Sequence, residues 1–548
     1  MSGDATASSV ASAPPTAWTS LRIKVFRAIW LAGIVSNIGS WMQSVGAQWM
    51  LVEGGSGPAV VALVQTAAAA PVLLLAIPAG VLGEFMNRRR MLIAVQTAQV
   101  IVVGILIWLT AANLVTPPLL LVLTLLLGAG SAIQLPAYQA LVTDIVPAPL
   151  VQGAAALTSI GVNVARAVGP ALAGLLVAQA GVVAVFAANA ISFAAFVGVL
   201  LAWRGYSVPR GRPERFIDAT RAGLRYVRHS RVILDLFVRL ALFLLPANAL
   251  WALLPIIASA ELHLQASGYG LLLTALGIGS IAGGILLPTA RKRWTTNTTL
   301  VSAAGLYGAS TAALVVFPSI WTALPLLVLA GIGWIGVIAT VNGTVQAFLP
   351  AWVRTRGLSV YQLVLFGGTA IGAALAGAAA GFAGVAWVTG LCGALIVVLA
   401  AAGVVWPTAS TVGRGRGAVE LPFPEGSSVD TEVVDAARRP VLVLLRYRVA
   451  AARQADFLAH MEMVGHSRRR TGARSWRLYE NHEQPGTFVE AFAVGSWQEH
   501  LSQHADRDTQ YDDQLLADAR QFSEDDPAVE HLIAVPERHA KTAPTRGG

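Results

Sequence analysis

Twelve apolar runs, at about 27–52, 58–84, 90–111, 118–138, 151–178, 182–203, 233–258, 268–290, 297–317, 321–345, 356–380 and 383–406, constrain this chain more than any other feature. Each is long enough to cross about 30 Å of hydrocarbon at about 1.5 Å of helical rise per residue. Of the 548 residues, 55% are hydrophobic and 12% are charged, against about 25% charged in ordinary soluble domains. Mean hydropathy is +0.64. One water-soluble core cannot hide that much apolar surface, so the chain needs an apolar solvent, and a bilayer supplies one.

The net charge of +9 could point to nucleic acid, but that reading needs basic residues gathered on a soluble, aromatic-studded face. Here they sit at the ends of apolar runs: Arg22, Lys24 and Arg27; Arg88, Arg89 and Arg90; Arg291, Lys292 and Arg293; Arg354 and Arg356. The alternate connections, near Glu53, Val115, Gly181, Glu261, Pro318 and Ala383, carry no Lys or Arg. The positive-inside rule then predicts a multi-pass protein of a bacterial cytoplasmic (inner) membrane with both termini cytoplasmic. Nucleic acid is not an expected partner. Cys392 is the single cysteine, so no intrachain disulfide forms, and neither a metal nor a cofactor is expected. The first ~20 residues lack the apolar segment of a cleavable signal, so insertion is expected to begin with the first span.

Composition divides the chain into a tail (1–20), a six-helix bundle (21–203), a basic cytoplasmic loop (204–231), a second six-helix bundle (232–406), a linker (407–438), an α+β domain (439–536) and a final tail (537–548). The loop carries eight arginines, Arg204, Arg210, Arg212, Arg215, Arg221, Arg225, Arg228 and Arg231. It is either a solvated linker or, through Phe216, Leu224 and Val227, an interfacial helix on anionic lipid. The halves repeat weakly: Ala79 to Leu82 aligns with Gly283 to Leu286, an offset that also sets Arg88 on Lys292 and Arg89 on Arg293. A duplicated unit with a midplane site is the expected architecture. In the tail, Val441–Val449, Trp476–Asn481, Thr487–Val494 and Val529–Val535 read as strands, Ala451–Arg469 as a helix, and Trp497–Phe522 as helical. The order β-α-β-β-α-β predicts a small ferredoxin-like domain.

Between the second and third runs, Gly80-Val81-Leu82-Gly83-Glu84-Phe85-Met86-Asn87-Arg88-Arg89-Arg90 resembles the loop signature of the major facilitator superfamily. Gly80 and Gly83 permit close helix approach. Phe85 replaces the family's usual Arg, and Asn87 stands where Gly is usual, a position open to a left-handed backbone. The resemblance implies that Glu84, Arg88 and Asp144 form a latch closing the inner side; a purely anchoring loop is the alternative. Gly161, Asn163, Arg166, Gly169 and Pro170, with Gly174 beyond, resemble the Gly-Pro signature of exporters in this superfamily, although Gly-rich packing alone would also account for them. Phe26 through Trp49, Pro136 with Gln139, and Asn163 to Pro170 resemble the enterobactin-exporter and transmembrane-secretion-effector branch of drug:proton antiporters. That resemblance implies proton-coupled efflux of amphipathic siderophores, antibiotics or drugs. The tail resembles dimeric α/β-barrel domains that include antibiotic-biosynthesis monooxygenases, through Phe488-Val489-Glu490, Ser496 to His500 and Arg507-Asp508-Thr509, which implies homodimerisation or regulation.

Helical geometry nominates a cavity face: Asn37, Trp41, Ser44 and Gln48; Ser131, Gln134 and Tyr138; Asn248 and Trp251; Asn342 and Gln346. These amides and aromatics suit a bulky, mainly neutral ligand, or else bond between helices. Arg166 is the one charge deep in its span, where the insertion cost of at least ~2.5 kcal/mol demands a partner, structural or substrate. No span carries Asp or Glu at mid-depth: Glu53, Glu84, Asp144, Asp235 and Glu261 lie near the interfaces, with Glu53 a candidate proton carrier. No Walker loop is present. The leading expectation is a non-enzymatic secondary exporter with an all-α, twelve-helix, two-bundle fold. The competitor is a membrane-anchored enzyme in which Trp497, His500 and His504 of the tail form an oxidation pocket.

Overall fold

The computed structural model describes residues 17–85, 87–203, 226–408, 439–503 and 509–535, side chains at 76–86 excepted. Among them, eleven helices are long and apolar enough to span a bilayer. They are α1 (Lys24–Glu53), α2 (Pro58–Phe85), α3 (Arg88–Ala111), α4 (Pro117–Ile145), α5 (Val151–Ala202), α6 (Arg231–Ile256), α7 (Ala266–Arg293), α8 (Thr296–Val316), α9 (Ile320–Phe348), α10 (Ala351–Ala383) and α11 (Val385–Val405). Apolar side chains point outward as well as inward. Leu74, Ile101, Ile191, Ile285 and Leu391 are all well exposed, which only a hydrocarbon solvent tolerates over so much surface. Exposed Trp294 and Trp406 lie at basic helix ends, and exposed Trp108, Trp321 and Trp387 at the opposite ends, the two places where indole rings favour a membrane interface.

Helix α5 is 52 residues long, but Gly181 inside it has φ 75° and ψ 175°, a left-handed excursion that costs glycine nothing and other residues strain. The break separates 151–180 from 182–202, so the seventh through twelfth apolar runs fall on α6–α11. Asn87 is not left-handed. Its φ of −62° and ψ of 109° are extended, and its side chain accepts a hydrogen bond from the Arg90 amide at 3.1 Å. It therefore serves as the N-cap of α3, a role that glycine fills without a side-chain acceptor. The loop readings at Phe216 and Leu224 lie outside the described residues.

The structure divides into two compact units, Met1–Glu214 with Val238–Asn342 and Tyr361–Pro407, and Arg215–Phe237 with Gly343–Val360 and Thr408–Gly548. The first thus contains helices from both halves of the sequence repeat. The second contains the tail and stretches of α6, α9 and α10.

In the tail, β1 (Val441–Arg448), α12 (Gln454–Thr471), β2 (Ser475–Glu480), β3 (Thr487–Val494), α13 (Trp497–Ser502), α14 (Gln510–Gln521) and β4 (Ala528–Ile533) follow one another. The expected β-α-β-β-α-β order appears, with the second helix in two pieces. The strands form one antiparallel sheet in the order β2-β3-β1-β4. Alternate residues of β1 and β3 are buried. That inner face packs Tyr447, Phe488 and Phe492 against Phe457 and Met461 of α12 and Leu515 of α14, while among the described residues no helix of the tail covers the outer face.

Glu490 points into this core and is completely buried. Its carboxylate accepts from Tyr447 Oη at 3.0 Å, Arg468 Nε at 3.1 Å and Trp476 Nε1 at 2.9 Å. A second buried acid, Asp512, pairs with Arg470 and accepts from Ser467 and Thr509, while Arg470 also lies over the Tyr226 ring at 5.9 Å. Tyr226 belongs to a helical turn just ahead of α6, so the tail is docked on the segment that leads into that helix. Glu490→Ala should leave Arg468 buried without its carboxylate and destabilise the tail by about 3–5 kcal/mol. Limited proteolysis of the membrane-bound full-length protein checks this: the tail should be cleaved much faster while α1–α11 remain intact.

Candidate functional site

Helix α5 is the hub of the first unit, because glycine at successive turns brings it into backbone contact with two neighbours. A side chain at Gly161 would meet Ile34 Cγ1 at 2.8 Å and one at Gly169 would meet Trp41 Cβ at 2.7 Å, both on α1. A side chain at Gly174 would meet the Ala266 carbonyl of α7 at 2.7 Å, and one at Gly270 the Pro170 carbonyl at 2.5 Å. A parallel seam joins α2 to α10: a Cβ on Gly377 would stand 2.4 Å from that of Ala62, and Thr66 Oγ1 donates to the Ala370 carbonyl at 3.0 Å. Near the same level Tyr269 donates to Gln48 Oε1 at 2.7 Å and stacks on Trp49 at 5.9 Å. These contacts between the two sequence halves gather toward the helix ends that carry no Lys or Arg.

Further along α1, an aromatic wall begins. Trp41 lies 6.0 Å from Trp251 of α6, Trp251 lies 5.5 Å from Trp334 of α9, and Trp334 lies 5.8 Å from Tyr307 of α8. The guanidinium carbon of Arg166 stands 5.6 Å from the Trp41 ring centroid. Arg166 occupies the middle of 151–180, half-buried, and its Nε is shielded from solvent with no hydrogen-bond acceptor among the described residues. The Nε1 of Trp251 and the Nε2 of Gln48 are likewise buried without acceptors.

At the basic ends, Arg88 Nη1 pairs with Asp144 Oδ1 at 2.5 Å, joining the start of α3 to the end of α4. Arg89 donates to the carbonyls of Leu200 and Leu201 at 2.8 and 3.3 Å, satisfying the free carbonyls at the end of α5 with a cation. Arg291 donates to the Ala339 carbonyl, inside α9, at 2.8 Å. Of the third latch residue, Glu84, and of Gly80 and Gly83, the side-chain surroundings lie outside the described residues.

The nominated cavity residues separate into two kinds. Asn37, Asn163 and Asn248 each donate to a carbonyl one turn back in their own helix, Gly33, Ser159 and Leu244, as Ser44 does to Ser40. Tyr138 packs with Phe196, Ile29 and Leu141 between helices of the first half. Gln134 is half-buried on the same helix. Trp41 and Trp251 instead come together with Arg166 along the wall, and Gln48 accepts from Tyr269 on α7. Asn342 ends the α9 portion of the first unit, and Gln346 falls in the second. Sequence reading missed Tyr269, Tyr307 and Trp334, whose only signal was an aromatic in an otherwise small-residue helix, and Gln96, completely buried with neither amide atom partnered. In the tail, Trp497 and His500 are buried, with His500 bonded to Gln503 at 3.3 Å and to His531 at 3.0 Å. They are core side chains there; His504 lies outside the described residues.

Comparison with known proteins agrees with this geometry. The family described as transmembrane secretion effector matches residues 15–540. A staphyloferrin A transporter from Staphylococcus aureus (strain NCTC 8325 / PS 47) is 25% identical over 266 residues, a match covering 46% of this chain and 64% of that protein. The chain therefore spans just under two thirds of that relative. Among solved structures, a bacterial homolog to the human lysosomal transporter Spinster, inward-facing and unoccupied, superposes with a TM-score of 0.56 at 16% identity, covering 69% of this chain and 95% of that one. The nucleoside transporter NupG superposes with a TM-score of 0.57 at 12% identity, covering 70% and 100%. At such identities these two likenesses speak to the fold alone.

Since Gly270 touches backbone, no rotamer change can relieve a larger side chain there. Gly270→Leu should prevent α5 and α7 from meeting, and cysteines placed near Gly174 should become several-fold more reactive to a membrane-impermeant maleimide, on the one-decade scale set by about 1.4 kcal/mol. Gly284→Leu, at a glycine with open space around it, should leave labelling unchanged.

Proposed function

Because the chain belongs to the transmembrane secretion effector family and is a transporter of the major facilitator type rather than an enzyme, we propose that it exports an amphipathic small molecule, in the class of siderophores, antibiotics or drugs, by alternating access. The single observation that carries this reading is the α5 seam. Gly169, Pro170 and Gly174, the residues of the exporter-type signature, are the ones in backbone contact range of α1 and α7. A helix held this closely to both halves couples their rocking, and small residues are what permit that contact in lipid.

Counting α5 as two spans broken at Gly181 gives twelve, in two bundles of six at 21–203 and 232–406, with the tail read as ferredoxin-like from its element and strand order. Under the positive-inside rule both termini are cytoplasmic and the sealed, Arg-free ends face outward, so this is the inward-facing half of the cycle. The Arg88–Asp144 pair already stands in this half of the cycle, and Glu84 would join it as the latch when the inner side closes. Proton coupling would fall to acids near the interfaces, Glu53 or Asp144. Glu53 now accepts from the Trp49 indole at 2.7 Å. The uncovered sheet face of the tail, with exposed Leu442, Tyr479 and Leu532, supports homodimerisation through that face.

The direction of substrate flux in proteoliposomes under an imposed proton gradient tests the exporter reading; net movement toward the side bearing the basic loops would overturn it. Arg88→Ala and Asp144→Ala should each lower efflux from cells about tenfold, the equivalent of about 1.4 kcal/mol, at normal protein abundance. Arg88→Asp combined with Asp144→Arg should recover most of it. Leu442→Lys together with Leu532→Lys should abolish intermolecular crosslinking of the full-length protein if the sheet faces pair.

A further inference from the structure

We propose that the wall around Trp41 holds the negative group of an aromatic or amphipathic organic anion, received by Arg166 and Trp251, and that the membrane potential acts on its export through the charge of Arg166. The inference rests on the transporter reading above and narrows its substrate.

The argument begins with what is missing around Arg166. It is the one charged residue of 151–202, it sits at mid-depth, and no carboxylate pairs with it among the described residues. Trp41 offers its ring face, and the Tyr361 hydroxyl donates to the Ile338 carbonyl at 3.4 Å. Neither supplies an acceptor to Nε. Trp251, its ring centroid 6.0 Å from that of Trp41, is 7% exposed and its Nε1 is sealed from solvent without a partner. Gln48, two turns along α1, adds a third buried donor, its Nε2, about 10 Å further along the helix. All three unmet groups are N–H donors, and one of them is cationic. Buried donors left unpaired are costly and rare in native structures, so the complementary ligand is rich in acceptors and negatively charged, as a carboxylate or phenolate is. The adjoining rings of Trp41, Trp251 and Trp334 fit its flat, apolar part.

The same charge bears on energetics. A monoanion on Arg166 makes the loaded site neutral, while the empty site returns carrying one positive charge. Inside-negative potential then favours the return of the empty protein, and each cycle moves one negative charge outward. No acid at mid-depth is needed for that, and the spans contain none.

The test uses purified full-length protein with 1-naphthoate and its neutral isostere 1-naphthamide. Wild type should bind the naphthoate at least tenfold more tightly than the amide. Arg166→Gln should remove that preference, Arg166→Lys should retain part of it, and Trp251→Phe, which keeps the ring and deletes the donor, should weaken naphthoate alone. In proteoliposomes, an imposed potential should accelerate protein-dependent naphthoate flux and leave naphthamide flux unchanged. Equal binding of the two probes to wild type, or a preference that survives Arg166→Gln, overturns the anion site. Saturable flux of either probe that ignores both the variant and the potential leaves the transporter standing without it, whereas no protein-dependent flux of either probe removes both readings.

Discussion

Two helices in hydrocarbon gain nothing from hiding apolar surface from one another, since lipid tails hide it equally well; they hold together by how closely their backbones approach. In this protein that constraint concentrates on α5. Its glycines at 161 and 169 admit α1, and Gly174 with Gly270 admits α7. The second seam, where Gly377 meets Ala62, obeys the same rule, and Ala62, Ala252 and Ala373 make a small-residue cluster beside it. Seams of this kind meet through backbone and small side chains, Gly174 on Gly270 and Gly377 on Ala62, and so pack as close, rigid surfaces.

Polar groups inside the bundle follow a second economy. Most hydroxyls and several amides are spent on carbonyls of their own helix: Asn37, Asn248, Thr124 and Thr311 each donate four residues back. They cost little. Against that background the unmet donors of Arg166, Trp251 and Gln48, like the amides of Gln43 and Gln96, are exceptions. The tail solves the opposite problem. Its buried charges are paired, Glu490 with Arg468 and Asp512 with Arg470, which fixes one arrangement of helix on sheet.

The tail also changes what the second half of the bundle can be. Arg470 over Tyr226, and His466 held below its usual range by burial and by the nearby charges of Arg231 and Arg469, tie α12 to the segment that enters α6. That contact anchors α12 to the chain segment immediately ahead of α6.

Hydrophobic runs, their spacing and the alternation of arginine between connections were enough to read spans, element order in the tail, and even the split of the long α5 after Gly181, because those features are set locally by helix length, strand period and glycine. The Arg88 and Asp144 contact was readable only through the family resemblance, since the loop motif holds Arg88 and Asp144 lies at the end of α4. What sequence could not supply was partnership. Periodicity puts Asn37 and Gln48 on one face of α1 without saying that the first turns back on Gly33 while the second meets Tyr269 on α7, and it gives no reason to group Trp334 with Trp41. Those choices depend on where distant helices cross, and crossing is decided only when the glycine seams close and the remaining side chains are left to find, or fail to find, an acceptor.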